Sequence, residues 1–163
     1  MSDAIDPITG YNPENEVRSI RIEIDAPASV VWQILTDLPN YGEWNPFCIK
    51  AVSTLEIGAP IEMHLTNFWN GEIAINTEYV CANDTGRMLS WELKHAPDWP
   101  YQARRDQVVA SLGPERCSYV SINAFYGDTG FHVMRFAGPW VKVAFDKTAR
   151  ALKARAEAMW AGR

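Results

Sequence analysis

The chain lacks any run of apolar residues approaching the roughly 18–20 that a helix needs to cross a membrane. Its first residues, MSDAIDPITG, contain neither the basic nor the apolar segment of a secretory signal peptide. Lys and Arg do not cluster before the C-terminal segment, and the net charge is −5, so the positive charge that neutralises nucleic-acid phosphates is missing. We therefore expect a cytoplasmic protein without a membrane span and without a nucleic-acid partner.

Residues for metal or covalent chemistry are few. The three cysteines, Cys48, Cys81 and Cys117, lie far apart and form no CxxC pair, and the three histidines are equally scattered. This spacing predicts neither a disulfide framework nor a metal site. The GxSxG, GxGxxG and GxxxxGKS/T motifs are also missing, so the sequence offers no nucleophile elbow and no phosphate-binding loop. We expect three reduced cysteines, no metal and no cofactor.

Aromatic residues, by contrast, are abundant. Seven Trp, six Tyr and six Phe make up 12% of the 163 residues, and each ring has about 150–250 Å² of surface to bury. With 47% hydrophobic and 21% charged residues, the composition is that of a folded globular protein, and the length fits one domain. The rings are therefore expected to fill a core or to line a cavity.

Hydrophobic periodicity divides the chain into a lead-in and one domain. Residues 1–16 contain Pro, Gly and Asn without periodicity and are expected to be a flexible lead-in, whereas residues 17–163 form the domain. In RSIRIEID, Ile20, Ile22 and Ile24 alternate with polar residues, which predicts a strand with one buried face. Two short helical segments follow, and then six runs separated by turn residues, which predict an antiparallel meander. These runs cover 49–55, 60–69, 72–82, 87–95, 102–112 and 117–126.

Near the C-terminus the apolar period becomes helical. Pro139 follows Gly138 and is expected to begin a helix of about twenty residues. One face of this helix is apolar and consists of Val141, Phe145, Thr148, Leu152, Ala156 and Met159. The remaining surface is basic, a pattern that can bind a membrane surface. A solvated face is the simpler interpretation.

The order of these elements resembles that of the SRPBCC superfamily of START domains and birch-pollen-type allergens. Three stretches of sequence carry the same resemblance, namely IRIEIDAPASVVWQILTDLPNYGEWNP, GRMLSWELKH and ALKARAEAM. The resemblance covers residues 17–160 and is strongest to the polyketide cyclase/dehydrase-like branch. It implies an α+β helix-grip fold, in which a strongly bent antiparallel sheet of about seven strands, in β-α-α-β6-α order, wraps around a long C-terminal helix. It also implies a cavity for a hydrophobic small molecule such as a lipid or a polyketide, while only some members are enzymes.

Strand periodicity and the resemblance together place side chains in that cavity. Leu89, Trp91 and His95 share the apolar face of one predicted strand. By the resemblance, Arg104 and Asp106 face inward on the next strand. On the last strand the inward residues are Tyr119, Ser121, Asn123 and Phe125, provided that no bulge inverts the register.

Two interpretations of the polar residues remain open. In the first, His95, Arg104 and Asp106 form a catalytic group in the cavity, where the Arg–Asp pair orients a ligand oxygen and the histidine takes a proton. In the second, Arg104 and Asp106 are an intra-strand pair at the outer rim of the sheet, and His95 is half exposed at a strand end.

The predicted ligand-binding side chains are mostly aromatic or polar. They are Tyr41, Trp44, Asn67, Trp69, Trp91, Tyr119, Ser121, Asn123, Phe125 and Phe145. We expect a cavity of at least about 300 Å³, opening near residues 41–47 and 67–71. The sequence favours binding of a hydrophobic or aromatic small molecule by a monomer or homodimer. The alternative is a polyketide cyclase, aromatase or dehydratase that uses His95 and Asp106 as acid and base.

Overall fold

The structure, a computed structural model, describes residues 13–93 and 102–163. Within these residues a short 3-10 helix precedes the first strand, and a second one follows the first α-helix. The strands are β1 Glu16–Arg18, β2 Ile22–Ile24, β3 Cys48–Val52, β4 Pro60–Thr66, β5 Ile73–Asp84, β6 Met88–Glu92, β7 Gln102–Gly113 and β8 Arg116–Tyr126. The helices are α1 Ala28–Thr36 and α2 Gly130–Ala161, with the 3-10 helices at Pro13–Asn15 and Leu38–Glu43.

The eight strands form one strongly curved antiparallel sheet in the order β1-β8-β7-β6-β5-β4-β3, and β2 also pairs with β8. With α2 this architecture confirms the predicted helix-grip fold. The predicted first strand is divided into β1 and β2. Between them the backbone amide of Ile20 donates to Asp146 Oδ1 of α2 at 2.7 Å instead of to β8. The edge of the sheet is thereby tied to the helix.

Helix α2 starts earlier than the sequence predicted. It begins at Gly130 and has 32 residues, so Pro139 lies in its third turn and not at its start. A proline there removes one amide donor from the helix. The turns before Pro139 nevertheless remain helical, because Val133 and Ala137 line the same cavity as Trp140. Burial of this apolar face outweighs the local signal that Pro139 provides.

The predicted apolar face of α2 forms a large part of the core. Val141, Phe145, Leu152 and Ala156 are buried, whereas Met159 at the end of the face is more than one-third exposed. The helix packs against β8, β1, β2 and α1.

The three cysteines are all free. Cys48 and Cys117 are buried, and Cys81 is half-buried. Burial raises the pKa of the Cys48 and Cys117 thiols to about 11 and that of the Cys81 thiol to about 12. All three side chains are therefore neutral near pH 7.

Candidate ligand-binding site

A cavity of about 360 Å³ lies between the inner face of the sheet and α2. Strands β4 to β8 and the N-terminal half of α2 contribute to its walls. Its aromatic lining residues are Phe47, Trp91, Phe125, Trp140 and Phe145. A space of this size with such walls is suited to a small molecule that is largely apolar.

The cavity meets solvent along β5. Residues 75–77 line the cavity and are exposed. The volume meets the minimum expected from the sequence, but the predicted opening is wrong in position. From residues 41–47 only Phe47 lines the cavity, and from residues 67–71 none does.

The charged centre of the cavity is Arg105 on β7. It is only 5% exposed, and its guanidinium carbon lies 4.3 Å from the ring centroid of Phe145, 5.6 Å from that of Trp91 and 5.9 Å from that of Phe47. Aromatic ring faces attract a cation, and more so where water is excluded. Three rings therefore hold the guanidinium in place without neutralising its charge.

The hydrogen bonds of Arg105 are incomplete. Nε donates to Ser121 Oγ at 2.9 Å. Within the described part of the chain, the buried Nη2 makes no hydrogen bond of normal geometry. A buried donor without a partner is costly, and more so when it is charged. The cavity thus contains a fixed cationic donor that a ligand oxygen can satisfy.

Glu78 on β5 is the acidic residue that lines the same cavity among the residues that the structure describes. It is half-buried and pairs with Ile61 of β4 across the ladder. Burial raises the pKa of its carboxyl to about 7, although the positive charge of Arg105 acts in the opposite direction. Near neutral pH this side chain can therefore both take up and release a proton.

The strand register explains why Arg105, and not its neighbours, faces the cavity. Arg105 lies opposite Trp91 of β6 and Asn123 of β8, and both of these residues line the cavity. Because alternate residues of a strand point to opposite faces, Arg104 and Asp106 lie on the outer face of the sheet. The prediction that Arg104 and Asp106 face the cavity is therefore wrong, because the predicted face of β7 is displaced by one residue along the strand.

On the outer face Arg104, Asp106 and Ser90 form a closed cluster. Asp106 Oδ1 accepts a hydrogen bond from Ser90 Oγ and another, at 2.9 Å, from Arg104 Nε. The side chains of Arg104 and Asp106 are 13% and 6% exposed. The contact is an intra-strand pair, as in the second interpretation of the sequence, but it is more deeply buried than a rim position implies.

Six of the predicted ligand-binding residues lie in or next to the cavity. Trp91, Asn123, Phe125 and Phe145 line it. Ser121 lies behind Arg105 and accepts its Nε–H. Tyr119 is fully buried, and its hydroxyl donates to Gln107 Oε1 at 2.9 Å. The inward face predicted for β8 therefore agrees with the structure.

The other four predicted residues do not line the cavity. Tyr41 is buried and its hydroxyl donates to the carbonyl of Leu35, and Trp44 packs edge-on against Tyr41. Asn67 accepts a hydrogen bond from Trp140 at 3.1 Å. Trp69 is 66% exposed in the turn after β4. His95 lies outside the described residues.

Arg105 and Glu78 are the important residues that sequence analysis missed. The Arg104–Arg105 doublet contained a usable signal, because one arginine of such a pair must face inward in either register. For β5 the sequence analysis assigned no inward face. Ile73 and Ile75 are exposed on this strand, whereas Glu78 is half-buried and lines the cavity.

Among the described residues, no group of three or more His, Cys, Asp or Glu side chains is arranged to hold a metal ion. Neither helix described combines the length and apolar character that a membrane crossing requires.

Comparison with protein families identifies the chain. The family model described as polyketide cyclase/dehydrase and lipid transport matches residues 18–157. The chain belongs to this family. The match covers all strands from β2 to β8, α1 and most of α2, so it includes every wall of the cavity. No curated protein sequence matches the chain.

Solved structures share the fold of this polyketide cyclase/dehydrase family member. The Zhui aromatase/cyclase from Streptomyces sp. R1128 is 22% identical with a TM-score of 0.68, over 87% of this chain and 93% of that one. A START superfamily protein from Mycobacterium smegmatis is 17% identical with a TM-score of 0.64, over 88% and 98% of the two chains. The di-domain ARO/CYC StfQ from the steffimycin biosynthetic pathway is 11% identical with a TM-score of 0.69, over 91% of this chain and 52% of that one.

Proposed function

We propose that the protein binds a small aromatic or otherwise hydrophobic molecule in the cavity between the sheet and α2, with a ligand oxygen on Arg105. The observation that carries the proposal is the buried Nη2 of Arg105, which lacks a hydrogen-bond partner among the described residues and belongs to a side chain that lines the aromatic cavity. Rings supply apolar contact, and one fixed donor supplies orientation. Membership of a family described by polyketide cyclase/dehydrase and lipid transport activities supports a ligand of this class.

The first test is recovery of the ligand. Native mass spectrometry of freshly purified protein, followed by organic extraction, is expected to show a co-purifying hydrophobic compound or an empty protein that takes up the neutral fluorescent probe N-phenylnaphthylamine. Ala137 lines the cavity, so Ala137→Trp is expected to fill it and to abolish both signals.

The matched control places the same substitution on the exposed side of the same helix. Ala154 is exposed, and Ala154→Trp should leave binding intact. Equal binding by Ala137→Trp and wild type would place the ligand elsewhere and overturn the proposal.

A second candidate function is catalysis of a cyclisation or dehydration. The observation that favours it is Glu78, an acid in the cavity whose pKa of about 7 suits proton transfer at neutral pH. Asp106 lies on the outer face, so Glu78 takes the role that the sequence assigned to Asp106. With a polyketide-like substrate, Glu78→Gln should lower the rate constant by about 10²–10⁴-fold while affinity for a neutral probe persists. Turnover unchanged in this variant, measured by mass spectrometry of products, would remove Glu78 from the chemistry.

A further inference from the structure

We propose that the ligand carries an anionic oxygen, as a carboxylate, phenolate or enolate on an aromatic body, that Arg105 binds this oxygen, and that Glu78 is protonated in the complex. This inference rests on the proposed binding function and specifies the class of ligand. It is argued from Arg105 and Glu78, which are the two charged side chains among the described residues that line the cavity.

The position of Arg105 is fixed before any ligand arrives. Ser121 holds Nε, and the ring of Phe145 lies 4.3 Å from the guanidinium carbon. Arg105 and Glu78 form no ion pair, although both are described and both line the cavity. A neutral ligand would leave the buried guanidinium without a counter-charge, whereas an anionic oxygen would supply the missing charge and the missing acceptor together.

Glu78 decides whether the cavity tolerates a second negative charge. An ionised Glu78 would repel a ligand anion near Arg105, while a protonated one would not and could donate a hydrogen bond to it. Anion binding is therefore linked to the proton on Glu78. Because burial raises the pKa of Glu78 to about 7, affinity for an anion should be highest below this pH and should fall as the pH rises through it.

In the part of the chain that the structure describes, no other group around Glu78 is expected to gain or lose a proton near pH 7. Arg105 on β7 remains charged. Cys48 on β3 and Cys81 on β5 are neutral near pH 7, because burial raises the pKa of both thiols. The cavity-lining residues that the structure describes on β4, β6, β8 and α2 carry no titratable side chain.

The experiment compares two fluorescent probes with the same rings. Anilinonaphthalene sulfonate carries a permanent negative charge, and N-phenylnaphthylamine lacks the sulfonate. Arg105→Met should weaken binding of the anionic probe by about 10- to 100-fold and leave the neutral probe within about twofold. Arg150→Met removes the same charge from an exposed position of α2 and should change neither affinity.

The second measurement is the pH dependence of affinity for the anionic probe, and its main result comes from the wild-type protein alone. Affinity of wild type for the sulfonate should fall about tenfold from about pH 6 to about pH 8, because the sulfonate itself does not titrate and the linked proton is lost near pH 7. In Glu78→Gln the profile should become flat at the high-affinity level.

The outcomes separate this inference from the binding function on which it rests. If neither probe enters the protein, the binding function fails. If the neutral probe binds but Arg105→Met leaves the affinity ratio of the two probes unchanged, or the wild-type profile is flat, only the inference on the anion is overturned. If Arg105→Met does not fold, as judged by circular dichroism, the pH dependence of binding in wild type and in Glu78→Gln still tests the inference on the anion.

Discussion

Arg104 and Arg105 are neighbours on β7, yet one belongs to a satisfied cluster and the other does not. On the outer face, Arg104 donates to Asp106, which also accepts from Ser90. On the inner face, Arg105 keeps one nitrogen without a partner in the described chain, among three aromatic rings. The sheet is the same on both sides, and only the direction of the side chain differs.

The difference shows how a buried charge can be assigned to structure or to function. A cluster whose donors and acceptors are paired stabilises its own geometry, and removing one member leaves the others unpaired. A buried cation with an unused donor contributes less to folding and leaves binding capacity for a ligand. The contrast between the two arginines can be tested by substituting residues on the outer face and on the inner face of β7 in turn.

Among the charged side chains, the largest effect on stability is expected on the outer face. Asp106→Ala should lower the free energy of unfolding by about 3 kcal/mol, because it leaves Arg104 and Ser90 without their acceptor. Urea unfolding followed by fluorescence measures the change, with Glu56→Ala at an exposed position as control. A loss below about 1 kcal/mol would show that the outer cluster is solvated.

Substitution of the two arginines should affect the free energy of unfolding to different extents. Arg104→Met should cost about 2 kcal/mol, since Asp106 keeps only Ser90, whereas Arg105→Met should change the free energy of unfolding by no more than about 1 kcal/mol. The same urea experiment on the ligand-free protein compares them directly. Equal losses would assign Arg105 to the structural framework and remove the contrast.

A smaller effect concerns the pH dependence of stability. The pKa of Glu78 is about 7 in the folded protein and 4.5 ordinarily. A carboxyl with a raised folded pKa favours folding at low pH, and this contribution is lost as the pH rises from about 4.5 through about 7. Glu78→Gln should therefore be more stable than wild type at pH 8, with the advantage vanishing toward pH 4.5. Thermal melts across this range test the sign, and an advantage that grows at low pH would contradict it.

The smallest effect is expected at the surface of α2. Lys153 bridges Glu157 and the carbonyl of Glu23, but it is partly exposed, so Lys153→Ala should cost no more than about 0.5 kcal/mol. Leu152→Ala, one residue away in the core, should cost about 2–5 kcal/mol. Similar urea midpoints for these two variants would mean that the faces of the helix are misassigned.

The fold followed from the sequence because its signals repeat. The alternation of Ile20, Ile22 and Ile24 and the helical spacing of Phe145 and Leu152 each indicate a buried face, and several such elements agree with one architecture. Residues that interrupt a repeating pattern were harder to interpret. Pro139 indicates a helix start, and only the burial of the preceding turns on the cavity shows why α2 continues through it.

The candidate site could be predicted only in part. The inward face of β8 that the resemblance implied agrees with the structure, because Tyr119, Ser121, Asn123 and Phe125 lie on one side of the strand and no bulge interrupts them. On β7, parity could not choose a face because Val109 and Leu112 lie on opposite faces. The register taken from the resemblance placed Arg104 inward, one residue away from Arg105, which lines the cavity. Glu78 needed the three-dimensional structure, since its burial depends on partners from distant strands.

The burial of the three cysteines has a practical consequence for labelling. A thiol reacts with alkylating reagents as the thiolate, and Cys48, Cys81 and Cys117, with pKa values of about 11, 12 and 11, are almost wholly protonated near neutral pH. A maleimide dye should therefore leave the native protein nearly unmodified. A single cysteine introduced at Thr77, which is exposed where the cavity meets solvent, would accept the dye selectively without removal of the native thiols. Fluorescence from that position would then report ligand entry in a chain that is otherwise unchanged.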